Sequence, residues 1–206
     1  QTMTIAQKLY ETGLITYMRT DSLNLSDKFL NESKDWLENN LGEKYCLSTP
    51  RRFKTKSKGA QEAHEAIRPT EAANEPEKIK LEDAGQYKLY KLIWQRSVAS
   101  QMPDAILDNT SLDIDAASPL LAKERAGVRS CQFRATGQVI KFDGYLKIFP
   151  EKSQEIQLPG VKEKEELNLI NIGGVQHFTK PPARYSDAGL VKKMEEYGIG
   201  RPSTYA

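Results

Sequence analysis

Apolar side chains follow two different periods along this chain, and the switch between them predicts its organisation. Residues 2–12 place Ile5, Ala6 and Leu9 on one side of a short amphipathic helix that Gly13 would close. Ser26 has the character of an N-cap, with Leu25 and Leu30 spaced as a hydrophobic staple across it. Phe29, Leu30, Ser33, Trp36, Leu37 and Leu41 then trace one face of a second helix, up to Gly42. Residues 43–82 are rich in Pro, Lys and Ser, without a clear period, and read as loop with short helical pieces. A third helix is expected over residues 83–101, with a stripe of Tyr90, Ile93, Trp94, Val98 and Met102 and Pro103 as its stop.

Beyond that point the period falls to two. Leu112 and Ile114 alternate with Asp113 and Asp115, while Cys131, Phe133, Ala135 and Val139 alternate with polar neighbours. Leu167 and Leu169 do so more loosely. Turns are expected at Gly127, Gly137, Asp143-Gly144, Pro159-Gly160 and Gly173-Gly174. From Ser186 a helix returns, lined by Leu190, Val191 and Met194 and ended by Gly198. The pattern predicts an α+β chain: a helical domain over 1–103, an antiparallel β-rich segment over 104–176, and the start of a further helical domain over 177–206.

Composition narrows the function classes. Of 206 residues, 38% are hydrophobic, and no apolar run approaches the roughly 18 residues of a membrane span. A net charge of +2 supports nucleic-acid binding only weakly, so the distribution of charge matters more. Residues 51–58, Arg-Arg-Phe-Lys-Thr-Lys-Ser-Lys, hold five cations and no acid, which suits either a solvated loop or a phosphate-binding segment. Cys46 and Cys131 lack metal-ligand spacing and are expected to stay reduced. Asp113 and Asp115 lack a third acid at Ala117, so no metal site is read from the sequence. No phosphate-cradling glycine loop is present, and no nucleotide partner is expected.

The most informative chemistry lies in residues 14–22, Leu-Ile-Thr-Tyr-Met-Arg-Thr-Asp-Ser. The segment reads as a strand or an extended turn; if Leu14-Ile15 opens a β-strand, Tyr17, Arg19 and Asp21 project from one face. A phenol, a guanidinium and a carboxylate so placed could attack a phosphodiester. The phenol would be the nucleophile, the Arg19 fork would grip the non-bridging oxygens, and Asp21 would orient a basic group. A free phenol titrates near pH 10, so a neighbouring cation would help by stabilising the phenolate. The plainer reading is a surface strand with an ordinary Arg–Asp pair.

Residues 15–22 resemble the active-site signature of the bacterial type IA DNA topoisomerases. Two further blocks agree: residues 61–70, Gln-Glu-Ala-His-Glu-Ala-Ile-Arg-Pro-Thr, and residues 180–206, from Lys-Pro-Pro-Ala-Arg to Gly-Arg-Pro-Ser-Thr-Tyr-Ala. Met18 stands where topoisomerase III and reverse gyrase usually carry Pro, which favours the topoisomerase I branch. The resemblance implies a gate domain carrying the tyrosine, part of a β-rich arch and the beginning of a helical DNA-binding domain, within a toroid. It implies an ATP-independent cycle of single-strand breakage, strand passage and rejoining through a 5′-phosphotyrosine. It also implies Mg²⁺, held by an N-terminal Toprim domain that this chain lacks. Single-stranded and negatively supercoiled DNA would be the partners, in the cytoplasm at the nucleoid. Both ends read as internal, so the chain is expected to be a piece of a longer protein that folds, binds single strands weakly and relaxes no supercoils.

Under the same resemblance, Tyr17 and Arg19 are the catalytic pair, with Asp21 in support. His64 and Arg68 are expected to touch a phosphate or scaffold the site. The order Glu62-Ala63-His64-Glu65 does not fit a zinc-protease helix, because Arg68 stands where a second histidine would be needed. Arg184, Arg201, Ser203 and Thr204 form a third group. A glycine-loosened turn before a helix start suits phosphate binding, and the resemblance makes Arg201 and Thr204 contacts to the strand. Two rivals remain: a single-strand-binding module in which Tyr17 only stacks on a base, and a tyrosine recombinase. The latter class normally places its tyrosine after its His and Arg residues, whereas Tyr17 precedes His64.

Overall fold

The computed structural model describes residues 1–53, 65–81, 83–116, 131–151 and 155–200. Among the described residues there are four α-helices, α1 (Thr2–Glu11), α2 (Asp27–Leu41), α3 (Ala84–Ala99) and α4 (Asp187–Glu196), and a two-stranded antiparallel sheet of β1 (Ile106–Ala116) and β2 (Cys131–Phe142). The chain forms two compact units. One comprises Gln1–Asp104, Gly144–Pro150 and Pro182–Ala206; the other comprises Ala105–Asp143 and Glu151–Pro181. Among the described residues no helix is long and apolar enough to cross a membrane.

The core of the first unit is built by the expected helix faces. Ala6 and Leu9 of α1, Phe29, Leu30, Ser33 and Leu37 of α2, and Tyr90, Trp94 and Val98 of α3 are buried. Each large apolar side chain buried here contributes about 1.5–3 kcal/mol. The indole rings of Trp36 and Trp94 meet edge to face, with centroids 5.0 Å apart. Their polar tips, with that of Tyr90, tie down the loop ahead of α3: Trp94 Nε1 donates to Ala72 O, Trp36 Nε1 to Glu75 Oε1, and Tyr90 Oη to Asn74 O at 2.7 Å. Burial, with the Glu71 charge, pushes the Tyr90 hydroxyl above its ordinary value, which keeps it a donor. Asp83 caps α3 by accepting from the amides of Gly85 and Gln86. The α-helix ends at Ala99, ahead of Pro103; amides 101 and 102 reach back only three residues, which seats Met102 in the core.

Gly13 turns the chain at the end of α1. Its φ of 74° lies in the left-handed region, and Leu14 N reaches back to Leu9 O at 2.9 Å while Gly13 N bonds Tyr10 O. This closure fixes the direction in which residues 14–16 leave the helix. Ser26 occupies the N-cap position of α2 but makes no capping bond; its hydroxyl is engaged by Arg68 instead.

In the second unit β1 and β2 pair from Ile106↔Phe142 to Ala116↔Cys131, with an irregularity after Ile106. Leu112 and Ile114 are half-buried between exposed neighbours, so the alternation read from the sequence is real. Cross-strand pairs of opposite charge, Asp113–Arg134 at 2.6 Å and Asp108–Lys141 at 2.7 Å, reinforce the register. Two expectations are corrected here. Gly137 is not a turn but lies inside β2, where Gln138 forms a two-way backbone bridge to Ile156. A Cβ at 137 would come within 2.5 Å of Ile156 O and 2.7 Å of Leu158 Cγ, so the glycine permits a close crossing. The loose alternation at Leu167 and Leu169 yields no strand; Leu169 and Ile170 are 77% and 98% exposed, with no ladder to join. The turn expected at Gly127 lies outside the described residues.

Gly137→Val is therefore expected to unseat residues 155–158 while leaving β1–β2 paired. Hydrogen exchange at the Gln138 and Ile156 amides should quicken by about one to two orders of magnitude, the counterpart of roughly 1–3 kcal/mol of overpacking. Unchanged exchange at both amides would show that the crossing tolerates bulk.

α4 is capped as expected, Ser186 Oγ accepting from Gly189 N, and closed by Gly198 at φ 68°. None of its residues is buried.

Candidate active site

Of the two forms the sequence leaves open, a strand or an extended turn, residues 14–22 take the second. A single antiparallel bridge, Ile15↔Pro69, is followed by bends, and the alternation of faces slips there. Ile15 and Met18 are both buried, at 1% and 7%, although they stand an odd number of positions apart. Tyr17 and Arg19, on either side of Met18, are turned outward instead, with Tyr17 46% exposed. Asp21 is half-buried and does not share their exposure. The ladder stops because the Arg68 amide, which a continued strand would give to Thr16 O, goes to the Thr16 hydroxyl; farther on, Thr20 Oγ1 accepts from Ser22 N and Ser22 Oγ accepts from Asn24 N, two side-chain turns that curl the chain.

What replaces the strand is a clamp at both ends of the loop, made by residues 66–70. On the incoming side, Thr16 N donates to Arg68 O at 2.9 Å and Thr70 N to Leu14 O at 3.0 Å. The Thr16 hydroxyl donates to Ala66 O at 2.7 Å and accepts from Arg68 N at 2.9 Å. On the outgoing side, Ala66 N donates to Asn24 O at 2.8 Å. Two of the three sequence blocks are thus one physical unit, in which residues 66–70 hold the loop that presents Tyr17.

Arg68 locks that unit. It is only 8% exposed and lies over the Phe29 ring at 5.0 Å. Its Nη1 donates to the carbonyls of Pro69 and Thr70, and its Nη2 to Ser26 Oγ and Glu65 Oε2 at 2.7 Å. A guanidinium so placed holds backbone rather than an incoming phosphate. Burial pushes the Glu65 carboxyl up, but the polar groups of Ser26 nearby and the charge and hydrogen bond of Arg68 outweigh it and leave the group below its ordinary value.

The other predicted residues are placed unequally. Arg19 and the Tyr17 hydroxyl make no hydrogen bond or ion pair among the described residues. Arg184 is exposed ahead of α4. His64, Arg201, Ser203 and Thr204 lie outside the described residues, as does most of the basic run 51–58. Its first two residues are anchored: Gln101, buried, exchanges two hydrogen bonds with the Arg51 backbone. Arg51 pairs with Asp104 and Arg52 with Asp27, and both arginines line a shallow cleft with Phe53, Leu23, Leu25 and Leu30.

Sequence reasoning missed Thr16, Ser26 and Glu65 as the supports of the loop, and Tyr10, whose ring meets that of Tyr17. A threonine between buried Ile15 and exposed Tyr17 was the one available signal, since a hydroxyl at that boundary needs partners. Thr16→Val keeps the shape and loses the hydroxyl, orphaning Ala66 O and Arg68 N. It is expected to cost about 1–3 kcal/mol, read as a lower denaturation midpoint with faster exchange of the Arg68 amide.

The family model described as "DNA topoisomerase" matches residues 1–206 of this chain. The chain is 43% identical over 209 residues to DNA topoisomerase 1 of Salmonella typhimurium, covering 100% of itself and 23% of that protein. It is 45% identical over 221 residues to DNA topoisomerase 1 of Rickettsia felis, of which it covers 27%. Its fold is similar to full-length topoisomerase I from Thermotoga maritima, with a TM-score of 0.74 at 34% identity, over 99% of this chain and 32% of that one. The chain spans about a quarter of the length of the curated relatives it matches.

Proposed function

The chain belongs to the bacterial type IA DNA topoisomerase family, and from that premise we propose that it is the tyrosine-bearing part of an enzyme that breaks, passes and rejoins single DNA strands. The observation that carries the reading is the loop itself: Tyr17 and Arg19 exposed on a segment clamped at both ends to residues 66–70. A nucleophile that must meet a phosphate in line needs an accessible oxygen on a fixed support. Tyr17 has both.

In the forward step Tyr17 Oη bonds to phosphorus and the bond from phosphorus to the 3′ oxygen breaks. The phenolic proton is lost, and the 3′ oxygen gains one to leave as a hydroxyl. Arg19, two residues on and likewise exposed, binds a non-bridging oxygen and offsets the charge that builds there. The phosphotyrosine ester conserves the bond energy, so the same 3′ hydroxyl can attack back and reseal without ATP. Single-stranded and negatively supercoiled DNA are the proposed substrates, with the cytoplasmic chromosome as the place of action. The Mg²⁺ that the family resemblance implies does not fit this chain: among the described residues no group of three His, Cys, Asp or Glu could hold an ion. No step here runs through it.

The test uses the intact protein that carries this segment, with Mg²⁺ and single-stranded DNA labelled at either end, denatured in detergent. The 3′-labelled piece is expected to stay on the protein. Retention of the 5′-labelled piece would point to a 3′-phosphotyrosine and the recombinase class. Absence of any covalent product would leave Tyr17 as a base-stacking residue of a binding module.

A further inference from the structure

Tyr17 leaves one question open: what orients its ring before DNA arrives. Its hydroxyl makes no hydrogen bond among the described residues, and nearly half of its surface is exposed. A phenol in that state turns freely about two side-chain bonds unless its ring is held. The ring that meets it is that of Tyr10, edge to face, with centroids 5.3 Å apart and planes at 68°. This is the geometry that the quadrupoles of two aromatic rings favour.

The two rings come from separately anchored supports. Tyr10 sits on the last turn of α1, next to Leu9, which is 1% exposed, and its carbonyl accepts from Gly13 N in the closure that ends the helix. Tyr17 sits on the loop held by Ile15, Thr16 and residues 66–70. Neither ring is in the core; Tyr10 is 43% exposed. Their contact therefore adds little to the burial that holds the fold, and its consequence falls on the direction of the Tyr17 phenol. The Tyr10 hydroxyl makes no hydrogen bond among the described residues, so the ring is the part that acts.

We propose that Tyr10 is a positioning residue for the Tyr17 nucleophile, its ring restricting the Tyr17 phenol to the orientation from which the oxygen reaches phosphorus in line. The inference rests on the proposed role of Tyr17 as nucleophile. A displacement of about 1 Å at an attacking atom can cost roughly 100-fold in rate. A ring that is loosened rather than displaced should lose less, about 5–20-fold.

The test measures single-turnover adduct formation at saturating single-stranded DNA, and DNA affinity, in the intact protein that carries this segment. Tyr10→Ala is expected to slow adduct formation by about 5–20-fold, with the dissociation constant for DNA and the melting temperature unchanged. Tyr10→Phe should recover most of the rate. Wild-type rates in Tyr10→Ala would overturn the proposal. So would a Tyr10→Phe variant as slow as Tyr10→Ala, which would assign the effect to the hydroxyl, or affinity falling in step with rate, which would make Tyr10 a DNA contact. Tyr10→Leu, which keeps bulk without the ring, carries the same test if the alanine variant fails to fold. The wild-type lane separates the two levels. No adduct there means that the role of Tyr17 has failed; a wild-type adduct formed equally fast by Tyr10→Ala means that only this inference has.

Discussion

Tyr17→Phe is expected to leave the protein folded and bound to single-stranded DNA while abolishing the covalent product, a fall of roughly 10⁴-fold or more, as for other removed nucleophiles. The structure makes this a clean experiment. The Tyr17 hydroxyl has no hydrogen bond among the described residues, so its loss orphans no partner. The ring, with its contact to Tyr10, is retained. Melting temperature and DNA affinity should therefore match those of the unmodified protein, and the missing adduct would report chemistry alone. Arg19→Ala gives the graded counterpart: an exposed cation removed from beside the reacting phosphate should cost about 10²–10³-fold in cleavage rate, as for a lost transition-state donor, without eliminating the adduct. Adduct formation by Tyr17→Phe would transfer the nucleophile to another residue and sink the proposed function.

The helices were legible because their signals are local. The stripe of Tyr90, Trp94, Val98 and Met102 needs only a period of 3.6 to be seen, and all four are buried. The alternation of Leu112 and Ile114 reads equally well as a strand, because a hairpin supplies its own partner. Where the reading failed, the deciding contact lay far away in sequence. The extended run at Tyr17 read as a strand or an extended turn, and among the described residues its one bridge, to Pro69, goes no further because the Arg68 amide is taken by the Thr16 hydroxyl and not by Thr16 O. Ser26 looked like a helix cap and stands in the right place, yet Arg68, 42 residues on, takes its hydroxyl. Gly137 looked like a turn because the sequence could not reveal that Ile156 and Leu158 cross it. The candidate site shows the same division. Tyr17 and Arg19 were named by their chemistry, whereas Thr16, Ser26 and Glu65, which hold them in place, act through contacts with the 66–70 block. The family was readable for a third reason: three of its blocks stand in order along the chain, at residues 15–22, 61–70 and 180–206.

Arg68→Ala is the second change expected to have a large effect, and it acts on stability first. Its guanidinium serves four acceptors, and removing it leaves the Pro69 and Thr70 carbonyls and the Ser26 hydroxyl without that donor, beside an unpaired Glu65. Breaking a buried ion pair costs about 3–5 kcal/mol. With the Glu65 side chain 33% exposed, the lower part of that range, about 3 kcal/mol, is expected. Arg68→Lys should recover little, because a point charge on a flexible stem cannot fork across two carbonyls and a carboxylate at once. The same network sets a pH dependence. Glu65 titrates below its ordinary value of 4.5 in the folded protein, so its contribution is fully present above that value. It is lost as the pH falls through the depressed folded value, when the carboxyl takes up a proton and releases Arg68. Denaturation midpoints measured from pH 7 down to the acid limit of folding should therefore fall more steeply below pH 4.5 in the wild type than in Arg68→Ala, which has no partner left to lose. Parallel curves would show that Glu65 and Arg68 are not coupled in the fold. Because residues 66–70 also hold both ends of the Tyr17 loop, the Arg68→Ala protein that remains folded should form the DNA adduct more slowly.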